Sequence, residues 1–363
     1  MLKACRYRIY PTKAQMTRFA TTLDLCRELY NAGLQERREA WRLERKNIRY
    51  LDQQNQLPEI KAARPELGEV HSQVLQDALR RLDKAFQAFF RRVQRGERAG
   101  FPRFRSRSRY DSFTYSQSGF KVIGDKLMLS KIGKVRIKQH RPLEGTVKTL
   151  TITRTATGKW FACFSSEVES QPLPENRQAV GVDVGLTHFA TLSTGEQIAN
   201  PRFFRADERA LARAQRKVNR RAARRIHERI ADRRRNFVHQ LSHALVSTFG
   251  IIAFESLNIR GMVRNHCLSK SIQDAAWNQL IQCTIYKAEY AGREVRTVDP
   301  RGTSQRCSAC GAIVVKDLSH RIHDCGCGLS LGRDHNAALN ILILGLQSLE
   351  IDSQRSRALQ GAE

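Results

Sequence analysis

The pattern of hydrophobic and polar positions near the N-terminus predicts a strand followed by helices. Residues 2–10 alternate and stop at Pro11, which is typical of a β-strand. Thr12 can cap the next helix, whose apolar side chains recur at helical spacing (Phe19, Leu23, Cys26, Leu29, Tyr30), and a second helical stretch continues through Trp41.

The pattern then changes to a loop, a helix and a β unit. Residues 47–68 are polar with two prolines, which indicates a loop with at most a short helix. Residues 74–93 predict an amphipathic helix, whose aromatic side chains we assign to its core face. Short alternating segments with glycine turns over 119–169 predict an antiparallel unit, a barrel completed by the first strand. Residues 171–174 form a proline-rich linker.

The second half alternates buried strands with helices, which predicts an α/β fold beside the β and α parts. Residues 180–192 predict a strand, a tight turn at Gly185 and a second strand. The later elements are strands at 250–257 and 294–300, helices at 205–239 and 272–291, and a last helix from 333 to about 346.

Three carboxylates fall on separate elements of this half. Asp183 lies inside an apolar strand, Glu255 ends the next strand, and Asp334 lies in a helix's first turn, where the dipole favours an anion. A buried carboxylate needs a partner, a metal or water. Together the three can hold two divalent cations roughly 3.5–4 Å apart for phosphodiester hydrolysis, with Asp183 bridging both. Taken one at a time, the acids have ordinary structural alternatives. Asp183 could be a turn aspartate, Glu255 an exposed acid at a strand end, and Asp334 a helix N-cap.

The charge balance indicates a polyanionic partner. Lysine and arginine number 63 against 35 acids, a net charge of +28, and nucleic acid is the commonest polyanion. A membrane surface is the rival, but no apolar run approaches the ~20 residues of a membrane helix. The N-terminus has no signal-peptide core, so we expect a cytoplasmic protein.

Two segments concentrate this charge. Arginines including Arg103 and Arg105 alternate with aromatic residues over 91–115, as in proteins that grip a phosphate backbone and stacked bases, although a solvated loop is the alternative. Residues 205–239 carry 13 basic and 4 acidic residues. Since like charges destabilise an isolated helix, we expect this one to lie along phosphates through arginines such as Arg220, Arg221, Arg224 and Arg225.

The nine cysteines divide into two groups. Five are scattered, as small buried side chains in a reducing compartment. The others, Cys307, Cys310, Cys325 and Cys327, predict a closed, structural zinc site. The Cys-x-Cys pair is one residue tighter than usual, and His323 could replace one thiolate.

These features together resemble the OrfB/TnpB family of insertion-sequence proteins, the compact relatives of type V CRISPR effectors. The resemblance covers nearly the whole chain. Its motifs are RYRIYPT near the start, ELYN at 28–31, GFPRFRS at 100–106, SFTY at 112–115, GVDVGL at 181–186, FESLNI at 254–259, SIQDAAW at 271–277, VDPRGTSQRCSACG at 298–311 and RDHNAALNIL at 333–342.

The resemblance implies a RuvC-type, RNase H-like nuclease domain with an inserted zinc ribbon. Asp183, Glu255 and Asp334 match its catalytic acids, which bind two Mg²⁺ ions, and the four cysteines match its zinc ligands. The frequent Asp-Arg-Asp sequence is Gly-Arg-Asp here, which leaves the catalytic acid in place. The implied organisation is a β-barrel-like wedge domain (1–10 and 100–172), a helical recognition domain (11–99), the nuclease domain (173–302 and 330–347), the zinc ribbon (303–329) and a disordered tail (348–363).

The implied activity is RNA-guided cleavage of DNA. A guide RNA from the transposon end would pair with double-stranded target DNA beside a short motif that the protein reads. The nuclease would cut both strands, leaving 5′-phosphate and 3′-hydroxyl ends. Two alternatives stay open: a nuclease-inactive RNA-guided repressor, which would have lost an acid, and a zinc-containing DNA-binding regulator of transposition. A strand-joining transposase would need a tyrosine beside His-x-His or an Asp-Asp-Glu set, and neither pattern is visible.

Overall fold

The computed structural model describes residues 1–317 and 320–360, which divide between two compact units, Met1–Glu169 and Ser170–Glu363. No helix in these ranges is long and apolar enough to cross a membrane. The finer subdivision into wedge, recognition, nuclease and zinc-ribbon domains stays a prediction.

The first unit contains four α-helices and an antiparallel sheet of seven strands. The helices are α1 (Lys13–Glu44), α2 (Tyr50–Asn55), α3 (Leu57–Ala63) and α4 (Ser72–Gln94). The strands are β1 (Leu2–Tyr10), β2 (Ser112–Tyr115), β3 (Phe120–Ile123), β4 (Lys126–Leu129), β5 (Gly133–Lys138), β6 (Thr146–Arg154) and β7 (Trp160–Glu167).

The N-terminal strand joins this sheet, as the sequence predicts, and it lies in the middle of the strand order. The strand order is β2-β6-β7-β1-β5-β4-β3, and the sheet curls into a nearly closed barrel. Cys5, Tyr7 and Ile9 alternate into the core. They share that core with Phe19 of α1 and Leu75 of α4, so the helices and the barrel bury one continuous apolar cluster.

The helices of this unit differ from the prediction in their extent. Thr12 and Gln15 form a capping box at the start of α1, as expected for a Thr-x-x-Gln sequence. The predicted break within 13–44 is wrong, because α1 is one helix that ends where Arg45 turns left-handed. The loop at 47–68 holds α2 and α3, and Val93 of the predicted core stripe is 53% exposed.

The second unit is an α/β structure on a mixed sheet of five strands. The strands are β8 (Ala179–Val184), β9 (His188–Leu192), β10 (Gln197–Ala199), β11 (Ile251–Glu255) and β12 (Glu294–Val298), in the order β10-β9-β8-β11-β12. Strands β8, β11 and β12 are parallel, and β9 is antiparallel to both its neighbours. The helices are α5 (Phe203–Arg216), α6 (Arg220–Thr248), α7 (Ile259–Met262), α8 (His266–Ala275), α9 (Trp277–Ala291) and α10 (Arg333–Gln360), and β13 (Ile322–Asp324) pairs with β14 (Ser330–Gly332).

Three predictions for this unit differ from the structure: two helices contain a break, and the tail is helical. The helix expected over 205–239 is two helices, because Val218 has φ 51° and Asn219 caps α6. The helix expected over 272–291 is broken by Ala276, at φ 56°. The tail expected to be disordered from 348 is helical through Gln360. Within this helical tail, Asp352 pairs with Arg296 at 2.7 Å. Residues 361–363 of that tail lie outside the described residues.

Candidate functional site

Asp183 and Glu255 lie side by side on parallel strands. The register pairs Val182 of β8 with Phe254 of β11, so the next residues, Asp183 and Glu255, are level with each other. Neighbouring strands lie about 4.8 Å apart, and level residues of neighbouring strands face the same side of the sheet. The central sheet therefore carries two of the three predicted acids next to each other.

Helix α10 brings the third acid to the same place. It packs on β8 at Gly181, where an added Cβ would lie 2.0 Å from the Ala338 carbonyl oxygen, so only glycine allows this approach. Asp334 lies one turn before Ala338, in the first turn of α10. The charges of Glu255 and Asp334 both act on the pKa of Asp183, so the three acids lie near one another in this unit.

The electrostatics of Asp183 are unfavourable for a lone carboxylate. Burial, followed by the charges of Glu255 and Asp334, raises the pKa of Asp183 to about 8, while the charge of Arg333 opposes this rise. Arg333 is paired with Asp334 at 3.2 Å. A cation at this site would relieve the repulsion, because it favours the charged form of every acid around it.

Glu255 is held by a residue that the sequence reasoning missed. The Thr303 hydroxyl donates to Glu255 Oε1 at 2.5 Å, and Glu255 is only 7% exposed. Burial raises the pKa of Glu255, and the Thr303 hydrogen bond opposes this effect. Thr303 fixes the carboxylate's orientation and leaves its other oxygen for a ligand.

Two buried asparagines of α10 tie this acidic site to the cysteine segment. Asn340 Nδ2 donates to the carbonyl oxygens of Thr303 at 2.8 Å and Arg306 at 2.7 Å. Asn336 Nδ2 donates to the Arg306 carbonyl at 2.8 Å and its Oδ1 accepts from Ser308 N at 3.0 Å. The signal in the sequence was a pair of amides four residues apart in an apolar helix, where an amide needs a partner.

The four predicted cysteines meet at one point. Their sulfurs lie within 4.8 Å of one another, with Cys307–Cys327 at 3.7 Å and Cys310–Cys325 at 3.6 Å. A tetrahedral zinc with Zn–S bonds of about 2.3 Å requires sulfur separations of about 3.8 Å, whereas a disulfide requires about 2 Å. The tight Cys-x-Cys pair therefore still supplies both thiolates, and the donor set fits zinc.

His323 does not belong to this ligand set. It is fully buried, and its Nδ1 contacts the Lys316 ammonium. Hydrogen bonds to the Cys307 sulfur lower the pKa of this thiol to about 5. The largest contribution comes from the backbone N–H of Cys310, with smaller ones from the N–H of Ala309 and from His323. A thiol that is ionised at neutral pH is the form that binds a metal.

The predicted nucleic-acid arginines lie on the surface. Arg103 and Arg105 are exposed, and Asn31 of α1 holds the Arg105 backbone with hydrogen bonds of 2.8 and 3.0 Å. The start of α6 carries four exposed arginines that take no part in the ion pairs joining α6 to α5 and α8: Arg220, Arg221, Arg224 and Arg225.

Other arginines of the same segment are structural. Arg229 and Arg233 of α6 both pair with Asp207 of α5, and Arg234 pairs with Asp274 of α8. These contacts hold the helices together. The basic segment is therefore divided between arginines that fix the helices and arginines that face solvent.

The sequence matches three family profiles. A helix-turn-helix domain profile (HTH_OrfB_IS605) covers 1–46, a profile described as a probable transposase (OrfB_IS605) covers 162–266, and a Cas12f1-like TNB domain profile covers 277–341. In the structure, residues 1–46 form β1 and the single helix α1.

Curated relatives match most of the chain. A Streptomyces pristinaespiralis protein named as an RNA-guided DNA endonuclease is 37% identical over 95% of this chain and 89% of its own length. The RNA-guided DNA endonuclease InsQ of Escherichia coli K12 is 31% identical over 95% of this chain and 92% of its own. A solved Cas12f1-sgRNA-target DNA complex overlaps 94% of this chain and 99% of its own at 16% identity, with a TM-score of 0.37.

The cysteine geometry predicts one zinc per chain. We expect metal analysis of the purified protein to give about one equivalent, because the four cysteine sulfur atoms already lie close enough together to share one ion. A Cys325→Ser, Cys327→Ser double variant should lose it, whereas Cys283→Ser, a change outside the cluster, should retain it. Full zinc content in the double variant would exclude this ligand set.

The raised pKa of Asp183 predicts a pH-dependent cost to stability. The unfolded chain ionises this acid near its ordinary value of 3.8, whereas the folded chain retains the proton to about pH 8. The folded state of the wild type should therefore lose stability as pH rises between these values, relative to Asp183→Asn.

This difference is measurable by thermal melting in EDTA. We expect Asp183→Asn to be more stable than the wild type by roughly 2 kcal/mol at pH 8. The whole pKa shift, at ~1.4 kcal/mol per pKa unit, corresponds to a larger difference, but partial exposure of Asp183 to solvent reduces it. The two proteins should converge near pH 4, and Mg²⁺ should narrow the gap. A wild type that is the more stable protein at pH 8 in EDTA would contradict this prediction.

Proposed function

This chain belongs to the OrfB/TnpB family, and we propose that it is a transposon-associated, RNA-guided DNA endonuclease. The observation that carries this proposal is that Asp183 and Glu255 lie on paired strands and that Asp334 is near enough for its charge to act on Asp183. Family membership supplies the substrate: DNA, selected by a guide RNA that pairs with one strand.

The three acids are suited to hold two divalent cations. Carboxylate oxygens are the donors that Mg²⁺ prefers. Three carboxylates on neighbouring elements are the kind of donor set that holds a pair of divalent ions for phosphodiester hydrolysis. Bound there, the ions would supply an activated water and charge stabilisation at the leaving oxygen.

The remaining work at the site falls to the protein. Thr303 orients Glu255, and Arg333 places a positive charge beside Asp334. Burial at the strand end limits the hydration of Asp183, so that its carboxylate is better accommodated with a cationic partner. The likeness of the sheet to RNase H rests on its order, with three antiparallel strands followed by two parallel ones.

The cysteine segment is proposed as a structural zinc ribbon that holds the loop beside the acids. Cys307 lies between Arg306 and Ser308, the two residues that Asn336 holds. A zinc ion on Cys307 would fix this loop and, through it, Thr303. Zinc therefore contributes to the position of Glu255 without taking part in the reaction.

A nuclease-inactive RNA-guided repressor is the second candidate. Loss of any one acid would favour it, but the site retains all three together with the Thr303 contact. A zinc-containing DNA-binding regulator would leave these buried acids without a function. The endonuclease proposal accounts for the acids, the cysteines and the net charge of +28.

Removal of one acid should abolish cleavage. We expect Asp183→Ala, Glu255→Ala and Asp334→Ala each to lower the rate about a thousandfold or more, equivalent to about 4 kcal/mol of transition-state stabilisation, with guide RNA binding nearly unchanged. Single-turnover cleavage of a matched duplex by the protein with its guide RNA in Mg²⁺ measures this.

Glu294→Ala is the matched control, since Glu294 starts β12 at the opposite end of the strands and pairs with Arg296. It should cut like the wild type. Full cutting by Asp183→Ala in Mg²⁺ would refute the assignment of the site.

The exposed arginines of α6 should contribute affinity without sequence preference. Changing Arg220, Arg221, Arg224 and Arg225 to glutamine should weaken binding equally for two unrelated guides. It should also flatten the slope of log affinity against log salt by about 0.7–0.9 for each phosphate that the protein no longer neutralises.

Arg229→Gln with Arg233→Gln is the contrasting variant, because these arginines pair with Asp207. It should lower the melting temperature and leave the salt slope closer to that of the wild type. An unchanged salt slope and an unchanged affinity in the fourfold variant would show that these four arginines contact solvent and not nucleic acid.

A further inference from the structure

The helical part of the first unit contains an aromatic groove that the proposed catalytic mechanism does not use. The groove has a volume of about 800 Å³ and lies between α1, α4 and Phe101. Trp41 is 55% exposed, Phe90 is 55% exposed and Phe101 is 46% exposed. Large aromatic side chains gathered in one open hollow mark a binding surface.

The wall of this groove is fixed by ring contacts. The Phe101 ring meets Phe86 edge-on, with centroids 5.5 Å apart, and meets Phe89 at 5.3 Å. Phe89 also contacts Phe90 at 5.2 Å. The rings thus support one another and present a preformed apolar face, which costs little conformational entropy when a flat ligand binds.

The rim of the groove is positively charged. Arg38, Arg42, Lys46 and Arg49 line it, and Asp83, the acid among its lining residues, is paired with Arg37 at 3.0 Å. An occupant must therefore combine a flat apolar part with negative charge. A second copy of this chain would bring an equally basic face, and the two rims would repel.

Arg37 adds a polar contact at the floor. It is 8% exposed, its Nε donates to Gln53 Oε1 at 2.9 Å and its Nη1 donates to Asp83. Its Nη2 has no hydrogen-bond acceptor among the described residues. A buried donor in this state favours a ligand that carries an acceptor oxygen or nitrogen.

We propose that this groove holds an unpaired nucleobase of single-stranded RNA, stacked on Trp41 and Phe90 with its phosphates on the basic rim. The proposal rests on the proposed function, since the guide RNA supplies the strand. RNA is the source because its guide segment has unpaired bases before any target is present, whereas the bases of duplex DNA are paired. Base stacking on aromatic side chains combined with a basic track is the usual way in which proteins hold single strands.

Tryptophan fluorescence gives a direct test, because Trp41 is the accessible one of three tryptophans. Trp160 is 4% exposed and Trp277 is 2% exposed. The full chain is titrated with an oligoadenylate RNA of about eight nucleotides, a length in the range that single-strand sites cover. We expect saturable quenching in the wild type and none in Trp41→Phe.

Affinity measured by anisotropy of the labelled RNA separates stacking from general charge. Phe90→Ala should weaken binding about tenfold or more, as expected for loss of one stacking partner. Leu43→Ala is the matched control, on the same helix as Trp41, 71% exposed and outside the groove, and should bind within about twofold of the wild type. Melting curves check that each variant is folded, which we expect for these exposed positions.

Three results would overturn the inference. The first is equal affinity of Phe90→Ala and the wild type. The second is quenching in Trp41→Phe that is as strong as in the wild type. The third is a concentration-dependent dimer that Phe90→Ala dissolves, which would make the groove an interface between copies.

The test is independent of cleavage, because it contains no target DNA. If the RNA quenches Trp41 fluorescence in a protein that cannot cut DNA, the groove is a base-binding site and the proposed function is refuted. A chain that cuts DNA but shows no groove-dependent binding would refute the inference alone.

Discussion

The close approach of α10 to β8 is the constraint on which the second unit depends. At Gly181 a strand and a helix backbone meet with no side chain between them. This approach sets the level at which α10 crosses the sheet, and so it places Asp334 beside Asp183. The same helix carries Asn336 and Asn340, which hold the loop that contains Thr303 and Cys307. A single helix therefore positions an acid, the orienting threonine and one end of the cysteine cluster.

Some residues of the candidate site could be predicted from the sequence, and others could not. Asp183, Glu255 and the four cysteines were predicted because each breaks a local rule: an acid in an apolar strand, or thiols at metal-ligand spacing. Thr303 breaks no such rule, since a threonine in a loop is ordinary, and the amides of Asn336 and Asn340 indicate only that each needs a partner, without indicating which one. Their roles follow from tertiary hydrogen bonds, which local pattern does not encode.

The errors in the fold have a similar origin. The breaks at Val218 and Ala276 occur at residues other than glycine with left-handed backbone, so no sequence signal marks them. The strands were easier, because alternation is imposed by burial on one face. The aromatic stripe of α4 shows the limit of that reasoning. Helical spacing is the same for a side chain that fills a core and for one that lines an open groove, and Phe89 of the predicted stripe lines the groove.

The place of β1 in the first sheet has a consequence for how the chain is made. Residues 2–9 pair with 160–167 of β7, and the Met1 amino group donates to the Val168 carbonyl at 2.8 Å. Strand β1 is synthesised long before its partners, so one of its edges stays open until β5 has been made and the other until β7 has been made. Pairings this distant in sequence form slowly, and an open strand edge is prone to aggregation. Nascent chains of this protein should accordingly depend on protection of that edge during translation.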